Sequence, residues 1–163
     1  MRFLRPNGGI IGFSESATTI MNGQRQLDSS APEAGGMLLG RLIVETNHVV
    51  IDEATIPMKG DRRGRFFYNR SKARAQQHIN LAWEISERTR NYLGEWHTHP
   101  EDDPSPSGHD LNNWRRIAEI AQYEQDYLIF AIVGRENTRA WEFNKIIGAP
   151  DELEHLSLPM NRL

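Results

Sequence analysis

The sequence predicts one α/β (α+β) domain in which helices pack on a mixed β-sheet. Short apolar runs of strand length alternate along the chain with segments whose apolar residues recur at helical spacing. The chain has 163 residues, 38% of them hydrophobic and 25% charged, which suits one hydrophobic core and does not indicate disorder. We expect residues 1–163 to form this single domain, with a weakly patterned C-terminal tail over 148–163.

The first third of the chain predicts a short helix and then a β-hairpin. Ser14 stands at the position of a helix cap, before apolar residues at helical spacing over 17–21. The continuous apolar run 36–44 predicts a buried strand, and the run 49–56 predicts its antiparallel neighbour. Residues 45–48 lie between the two runs and predict the hairpin turn.

The middle of the chain predicts a basic loop, a long helix and a strand. Residues 57–65 are rich in basic residues and contain glycine, which is typical of an exposed loop. Over 69–90 the apolar residues recur at helical spacing, which predicts a helix with one buried stripe. Residues 92–98 predict the strand that carries two histidines at its end.

The second half of the chain predicts a loop, a helix and two strands. Residues 100–106 contain three prolines, which exclude regular structure and predict a loop. A helix is expected from Ser107 onward. The apolar run 127–133 predicts a buried strand, and the alternating run 139–143 predicts a partly covered one.

Bulk composition narrows the classes of function. The formal net charge is −3 and the pI is about 6.1, so no global basic field favours a nucleic acid or a membrane as partner. The chain has no cysteine, which excludes disulfides, thiolate metal sites and a cysteine nucleophile. We find neither a secretory signal nor an apolar run long enough to span a membrane, and we expect a soluble, cytoplasmic protein.

The run from His97 to Pro100 is the part of the sequence that most strongly indicates chemistry. His97 and His99 are two residues apart, so their side chains share one face of a strand. Asp110 follows eleven residues after His99, at the start of the next predicted helix. Two imidazoles and a carboxylate, with a fourth position left for water, are typical of catalytic zinc, although these ligands also suit iron, manganese or nickel.

Each part of this pattern also has a purely structural interpretation. Two alternate histidines on a strand can simply face solvent, and Ser107 with Asp110 forms the pattern of a helix capping box. Capping and metal binding are compatible, because a capped helix start is a rigid platform for a ligand. The conjunction of a strand end, a proline-rich loop and a helix start favours a metal site that both elements reach.

The stretch 97–110, with the pattern His-x-His-Pro and then Ser-x-x-Asp, resembles the JAMM motif of the JAB/MPN+ metallopeptidases. The second motif of that family is an upstream glutamate at the start of a glycine-containing apolar strand, and Glu33 before the run 34–40 matches it. The resemblance covers residues 32–133. It implies a cytidine-deaminase-like JAB/MPN domain, in which a mixed, mostly antiparallel sheet is flanked by helices.

The resemblance implies a role for each matching residue. His97, His99 and Asp110 would bind one Zn2+ per chain, and a water would complete the site. Glu33 would act as general base and acid, and Ser107 would help to stabilise the oxyanion. General chemistry agrees with these roles, because zinc lowers the pKa of its bound water to about 7 and a neighbouring carboxylate can carry the proton to the leaving amine.

Within the family, the resemblance is to the prokaryotic JAB branch and to the deconjugating peptidases of CBASS antiphage operons. It implies a zinc-dependent isopeptidase or peptidase that hydrolyses the amide bond after the C-terminal residue of a conjugated protein. The implied partner is the C-terminal tail of a cyclic-nucleotide synthase, a nucleotidyltransferase, released from its targets. Two alternatives stay open: C-terminal processing of a small sulfur-carrier protein, and a non-catalytic binding module that retains the metal.

A basic segment beside aromatic residues is a further candidate for substrate contact. The segment 59–74 contains seven Lys and Arg residues, and 66–68 is an aromatic run. A solvated loop and helix face is the structural interpretation, and a groove for the substrate tail is the one that the resemblance implies. Glu95 shares the strand face of His97 and His99, which makes it a candidate to support the metal ligands.

Overall fold

A computed structural model describes residues 1–28 and 30–157. This part of the chain contains eleven strands and three helices. The strands are β1 (Arg2–Leu4), β2 (Ile10–Phe13), β3 (Gly35–Leu42), β4 (Val49–Ala54), β5 (Arg62–Gly64), β6 (Phe67–Asn69), β7 (Asn91–Thr98), β8 (Tyr127–Val133), β9 (Thr138–Asn144), β10 (Ala149–Glu152) and β11 (Glu154–His155). The helices are α1 (Glu15–Asn22), α2 (Lys72–Ile85) and α3 (Gly108–Ile120).

Nine of the described strands form one sheet, in the order β10-β9-β8-β7-β3-β4-β2-β1-β11. Neighbouring strands are antiparallel, except that β7 with β8 and β2 with β4 are parallel. The other two described strands, β5 and β6, form a separate antiparallel hairpin. The prediction of a mixed, mostly antiparallel sheet is therefore confirmed.

Consecutive residues of the central strands point to opposite faces of the sheet and fill two cores. Leu38 belongs to the core that also contains Met21 of α1. Its neighbour Leu39 belongs to the core on the other face, together with Trp114 of α3. The Trp114 ring stacks on Phe130 of β8, with 4.7 Å between the ring centroids. One helix thus covers one face of the sheet, and α2 and α3 cover the other.

The helix starts agree with the sequence prediction better than the helix ends. Ser14 and Ser107 cap α1 and α3 with their side-chain oxygens, as predicted. The helix predicted over 69–90 begins later, at Lys72, because Asn69 belongs to β6. It also ends earlier, at Ile85, because the chain leaves helical geometry at Glu87 and Arg88, whose φ angles are 55° and 63°. None of the described helices is long and apolar enough to cross a bilayer.

Six short strands are absent from the sequence prediction. β1 and β2 lie in the N-terminal segment, β5 and β6 lie in and next to the predicted basic loop, and β10 and β11 lie in the segment expected to be a weakly patterned tail. Each has two to four residues, which is too short for a periodic pattern to register. β11 pairs with β1 and β10 with β9, so the tail contributes to the sheet up to residue 155. Residues 158–163 lie outside the described residues.

The pairing of β3 with β7 brings the segment before one strand to the end of the other. The antiparallel register places Ala34 beside Thr98, whose N–H donates to the Ala34 carbonyl at 2.8 Å. The same alignment brings the next residue, Glu33, close enough to His99 for the two charges to interact. The approach of these residues, far apart in sequence, is thus a consequence of how the two strands align.

Gly94 permits this alignment. Its φ angle is 149°, and a Cβ atom at this position would lie 1.8 Å from the carbonyl oxygen of Ile129 on β8. The register between β3 and β7 shifts between Leu38 and Leu39, opposite this glycine. A residue with a side chain at position 94 would therefore disturb the pairing of β7 with both of its neighbours.

Candidate metal centre

Three candidate metal ligands meet where two elements approach each other. His97 lies near the C-terminal end of β7, and His99 follows two residues later, so both side chains leave the same side of the strand. Asp110 is the third residue of α3, which the loop 100–106 returns to this end of β7. The two elements that the sequence predicts to share a metal therefore do meet.

The donor atoms of these side chains are separated as in one coordination sphere. Nε2 of His97 lies 3.0 Å from Nε2 of His99 and 3.2 Å from Oδ1 of Asp110. Nε2 of His99 lies 3.4 Å from Oδ2 of Asp110. A tetrahedral zinc ion with bonds of about 2.0–2.1 Å separates its ligand atoms by about 3.3 Å. The two distances to Asp110 involve its two different oxygens, and one ligand atom from each of the three residues lies within 4.8 Å of the others. The three donors thus fit such an ion in number and type and lie close enough to share it.

The ionisation state of Asp110 suits a cation, and a cation would compete with a proton for His99. Burial raises the pKa of Asp110, but hydrogen bonds from His97 and His99 outweigh burial and hold that pKa far below its usual range. Burial lowers the pKa of His99, but Asp110 and the charge of Glu33 outweigh it and raise that pKa overall. Asp110 is therefore an anion throughout the physiological pH range, which is the state that a metal ligand requires.

The start of α3 fixes the orientation of Asp110. Its Oδ2 accepts hydrogen bonds from the Ser107 N–H at 2.7 Å and from the Ser107 hydroxyl at 2.5 Å. In return, Ser107 Oγ accepts a hydrogen bond from the Asp110 N–H at 3.2 Å. The capping box directs the other carboxylate oxygen, Oδ1, toward His97. The predicted cap and the predicted ligand therefore coincide, and the cap orients the ligand.

Ser107 is exposed at this end of α3, but its hydroxyl is already engaged. A serine hydroxyl has a single proton, and here it is donated to Asp110. Donation to an oxyanion, as expected from the sequence, requires the hydroxyl to rotate away from Asp110. The structure thus gives Ser107 one role directly, as a helix cap.

Glu33 lies in the same cleft as the candidate ligands and is almost completely buried. Its side chain lines this cleft together with those of His97 and Asp110, and the residue is 5% exposed. Burial raises the pKa of Glu33 to about 7, the charge of His99 opposes this rise, and that of Asp110 adds to it. A carboxyl group with a pKa near 7 can both accept and release a proton at neutral pH.

Strand β5 holds the backbone of Glu33 in place. The Glu33 N–H donates to the carbonyl of Gly64 at 2.7 Å, and Nε of Arg63 donates to the Glu33 carbonyl at 2.8 Å. The backbone on both sides of this side chain is therefore bonded to one short hairpin. The unpredicted hairpin of β5 and β6 thus has a direct part in placing the carboxylate.

A buried hydrogen-bond network beneath the cleft joins the same parts of the chain. Thr98 Oγ1 donates to Gln26 Oε1 at 3.0 Å and accepts from the Ala34 N–H at 2.9 Å. Nε2 of Gln26 donates to the carbonyls of Ala31 and Arg65 at 2.9 and 3.0 Å. Both Thr98 and Gln26 are buried. Sequence reasoning missed Gln26, because a glutamine in a polar loop gives no signal of its distant partners.

His99 has a second carboxylate neighbour in the loop after β7. Nδ1 of His99 lies 3.4 Å from Oε2 of Glu101, which also accepts a hydrogen bond from the Ser105 N–H at 3.1 Å. A histidine that binds a metal through Nε2 carries its proton on Nδ1, where a carboxylate orients the ring. Glu101 is therefore placed to orient His99.

Glu95 has partners other than the histidines. Its Oε1 accepts hydrogen bonds from Nε of Arg70 at 2.5 Å and from the Tyr92 hydroxyl at 3.0 Å. The bulge of β7 at Gly94 lies directly before it. Glu95 thus lies in the lining of the cleft, but its hydrogen bonds go to Arg70 and Tyr92 and not to the candidate metal ligands.

The basic residues of the segment 59–74 make separate contacts with different parts of the chain. Arg63 binds the backbone of the loop before β3, Arg70 pairs with Glu95, and the Arg65 guanidinium lies 5.0 Å from the centroid of the Phe66 ring. From the aromatic run 66–68, the second and third residues line the cleft. Two aromatic residues of this run therefore border the cleft, whereas none of the seven basic residues, all within the described part of the chain, lines it, and a groove for a substrate tail stays a prediction.

Comparison with known proteins agrees with this architecture. The family described as "Prokaryotic homologs of the JAB domain" matches residues 21–144. The matched range includes Glu33, His97, His99 and Asp110. The chain therefore belongs to the prokaryotic JAB family.

Curated relatives from three bacteria share one name, CD-NTase/cGAS isopeptidase. The Pseudomonas aeruginosa protein is 37% identical over 129 residues, which cover 79% of this chain and 80% of the relative. The Vibrio cholerae protein is 41% identical over 113 residues, 69% of each chain. The Escherichia coli protein is 37% identical over 117 residues, 72% of this chain and 71% of the relative.

Among solved structures, a Desulfitobacterium hafniense protein determined in solution superposes with a TM-score of 0.60. The superposition covers 88% of this chain and 90% of that protein, at 21% sequence identity. At this level of identity the likeness shows the fold alone, and it agrees with the predicted fold class.

Proposed function

We propose that this protein is a zinc metallopeptidase that acts as a deconjugating isopeptidase in CBASS antiphage defence. One observation carries the proposal: a three-donor metal group and the buried carboxylate of Glu33 line the same small cleft. A buried carboxyl group whose pKa is raised to about 7, next to potential metal ligands in a cleft, is typical of a functional site. The names of the curated relatives support the same reaction class.

In this proposal, His97, His99 and Asp110 hold one zinc ion. When bound, zinc supplies Lewis acidity, which lowers the pKa of a water to about 7 and polarises the scissile carbonyl. Zinc is preferred over iron, manganese and nickel because two imidazoles and a carboxylate with a fourth position for water are typical of catalytic zinc, which activates water without redox chemistry. Glu101 keeps the His99 ring oriented for this task.

Glu33 moves the protons of the reaction. As a carboxylate it accepts a proton from the attacking water, and as a carboxylic acid it donates that proton to the leaving amine. The hydrogen bonds from β5 to its backbone keep the group at a constant distance from the reacting atoms. The Ser107 hydroxyl, once rotated away from Asp110, donates to the developing oxyanion, which is worth about 3 kcal/mol in comparable sites.

The proposed substrate is the C-terminal tail of a CD-NTase, a nucleotidyltransferase, joined through an amide bond to a target protein. The cleft suits an extended chain end, because Phe67 and Tyr68 lie in its lining next to the candidate ligands. The names of the relatives support this class of substrate. We place the reaction in the cytoplasm, where a nucleotide-using synthase finds its own substrates.

A cleavage assay tests the proposal. The tail of a CD-NTase encoded in the same genome is fused in front of a fluorescent protein and incubated with the zinc-loaded enzyme, with and without a chelator. We expect cleavage after the last tail residue that the chelator abolishes. Glu33→Gln should keep its zinc and lower kcat by about 10²- to 10⁴-fold, whereas the exposed Glu119→Gln should not change it. Absence of cleavage by the wild type, or full activity of Glu33→Gln, contradicts the proposal.

A further inference from the structure

A cavity of about 410 Å³ opens beside the candidate metal centre, between α2 and α3 and above β7. Tyr68, Glu95 and Asn113 line both this cavity and the cleft over the metal ligands, so the two spaces adjoin. A peptide that presents one bond to the metal centre therefore lays its neighbouring side chains over the cavity.

The floor of the cavity is an ion pair that is already satisfied. Glu95 is the one carboxylate that the described residues contribute to the lining, and it is bonded to Arg70 and to the Tyr92 hydroxyl. The side chains of Arg70 and Glu95 are 20% and 12% exposed, so water reaches this pair only partly. A ligand in the cavity therefore finds no free negative charge at its floor.

Each helix that flanks the cavity contributes one cation to the lining. Lys72 is the first residue of α2, and Arg116 lies on α3. Both are exposed, and within residues 1–28 and 30–157 neither takes part in a salt bridge. Together with Arg70 and Glu95, they give the lining three positive charges and one negative charge, a net charge of +2 on a chain whose formal net charge is −3. The cavity is therefore a local exception to the acidic character of the protein.

We propose that this cavity binds an acidic side chain of the substrate tail, two to five residues before the bond that is cut. The inference rests on the proposed function and names the substrate feature that it recognises. β7 advances about 3.3 Å per residue, and along it Glu95 lies two residues before His97 and Tyr92 lies five residues before it. An extended tail that lies over the sheet and runs in the same direction as β7 brings the residues at those distances before the bond to the cavity.

The positive charge of the cavity favours an acidic ligand, and the constancy of the tail favours the tail over the target protein as its source. Lys72 and Arg116 attract a carboxylate and repel a lysine or arginine side chain. Four Asn and Gln side chains in the lining add hydrogen-bond donors. The tail is common to every conjugate of one protein, whereas the surroundings of the modified group change with each target. A subsite built into the enzyme is therefore effective only for the tail.

A charge scan of the substrate tests the inference. Isopeptide-linked peptides carry the CD-NTase tail, and each of the positions two to five before the bond is replaced in turn by Glu and by Lys. With the zinc-loaded wild type, we expect kcat/KM to be about five- to tenfold higher for Glu than for Lys at one or more of these positions. Arg116→Glu should abolish or reverse this preference, because it changes the sign of one wall.

The neighbouring residue Arg115 provides a matched control. Each of the two arginines donates to the asparagine three residues before it, at 3.3 Å for Arg115 and 3.0 Å for Arg116. Arg115 does not line the cavity, so Arg115→Glu should keep the preference for Glu. Equal rates for Glu and Lys at all four positions, or equal effects of the two variants, overturn the inference and leave the proposed function intact.

A binding measurement separates the inference from the proposed function. Fluorescence anisotropy reports binding of the same peptides to zinc-loaded Glu33→Gln, where no turnover intervenes. If the wild type cleaves none of the peptides, the proposed function fails, and this measurement still decides the inference. Tighter binding of the Glu peptides supports the subsite, whereas binding that is absent or independent of charge overturns it.

Discussion

Glu33 carries a carboxylate into a buried position beside two histidines and an aspartate. Burial raises the pKa of Glu33 to about 7, which means that the folded protein binds this proton more tightly than the unfolded chain does. The ionised carboxylate is therefore unfavourable in the metal-free protein. A site that binds a cation next to such a group recovers this free energy on binding.

The first prediction concerns the pH dependence of stability in the metal-free protein. The cost of ionised Glu33 is absent below the ordinary pKa of 4.5, develops as the pH rises to about 7, and is complete above that. In the presence of a chelator, Glu33→Gln should therefore raise the free energy of unfolding by about 1–3 kcal/mol at pH 8 and leave it unchanged at pH 4. Denaturant titrations at both pH values measure this difference. The exposed Glu119→Gln should show no such dependence, and a Glu33→Gln effect that is equal at both pH values contradicts the assignment.

The second prediction concerns the carboxylate behind His99. Glu101→Gln should weaken zinc binding about three- to tenfold, because the loss of its charge reduces the orientation and basicity of the ring. Competition with a chromophoric chelator measures the affinity. Asp103→Asn removes a charge from the same loop without a contact to His99, and it serves as the control. Equal zinc affinities for the two variants would show that Glu101 acts only through its negative charge near the site and not through its contact with His99.

At the scale of the elements, buried hydrogen bonds join segments of the chain that are far apart in sequence. The Thr98 hydroxyl joins the strand that carries the candidate ligands to the loop before β3, and the Gln26 amide joins both to the hairpin of β5 and β6. Because these groups are buried, each lost hydrogen bond leaves a partner unsatisfied. The network therefore couples the position of Glu33 to that of the histidines.

The third prediction tests this coupling. Thr98→Val keeps the shape of the side chain and removes its hydroxyl, so it should lower the free energy of unfolding by about 2 kcal/mol and kcat by about 10- to 100-fold. Thr55→Val is the control, since the Thr55 hydroxyl accepts a hydrogen bond from the Met37 N–H within the same sheet. It should cost similar stability and retain kcat. If both variants lose activity equally, the effect belongs to the sheet and not to the placement of Glu33.

The fourth prediction separates the two roles of Ser107. Ser107→Ala should lower stability by about 1 kcal/mol through loss of the helix cap and, in addition, lower kcat about 100-fold through loss of the oxyanion donor. Ser14→Ala removes the cap of α1, which bonds the Ala17 N–H at 3.1 Å, and should lower stability alone. Steady-state kinetics at saturating zinc and thermal unfolding of both variants measure the two effects. Saturating zinc separates loss of the oxyanion donor from weaker metal binding through Asp110. A wild-type kcat for Ser107→Ala would leave this serine with its capping role only.

At the scale of the whole molecule, the sheet aligns the two halves of the site. Glu33 and His99 are adjacent only because β3 and β7 pair in one register, and that register depends on the bulge at Gly94. A side chain at this position would meet the backbone of β8 at a distance that no relaxation of side chains relieves. The centre of the sheet is therefore intolerant of change at a position with no contact to the cleft.

The fifth prediction follows from this intolerance. Gly94→Ala should lower the free energy of unfolding by more than about 2 kcal/mol, because its Cβ clashes with Ile129 and its φ angle disfavours a side chain. Gly12→Ala provides the comparison within the same sheet, since its Cβ would meet only the Val49 oxygen at 4.0 Å. It should be neutral or slightly stabilising. Urea denaturation of both variants measures the free energies of unfolding. Equal values would contradict the conclusion that the bulge requires glycine at position 94.

Local patterns were sufficient for the features that short-range physics controls. The alternation of a strand predicted that His97 and His99 share a face, and the Ser107-x-x-Asp110 pattern predicted the cap that orients a candidate ligand. The central strands and all three helices of the described residues also follow from periodicity. Resemblance of two motifs to one family identified Glu33 as a partner, since no local rule connects it with residue 97 or beyond.

Long-range packing was required for the features that depend on partners distant in sequence. The register that brings Glu33 to His99, the hairpin that holds its backbone, and the Gln26 network each join residues separated by 30 to 72 positions. Short strands, a buried amide and a cavity between two helices have no periodicity of their own, because their stability comes from the surface that they meet. Short motifs in the sequence thus identify the candidate residues of the site. The distances between those residues and the charge of the neighbouring cavity depend on how the sheet and the helices pack together.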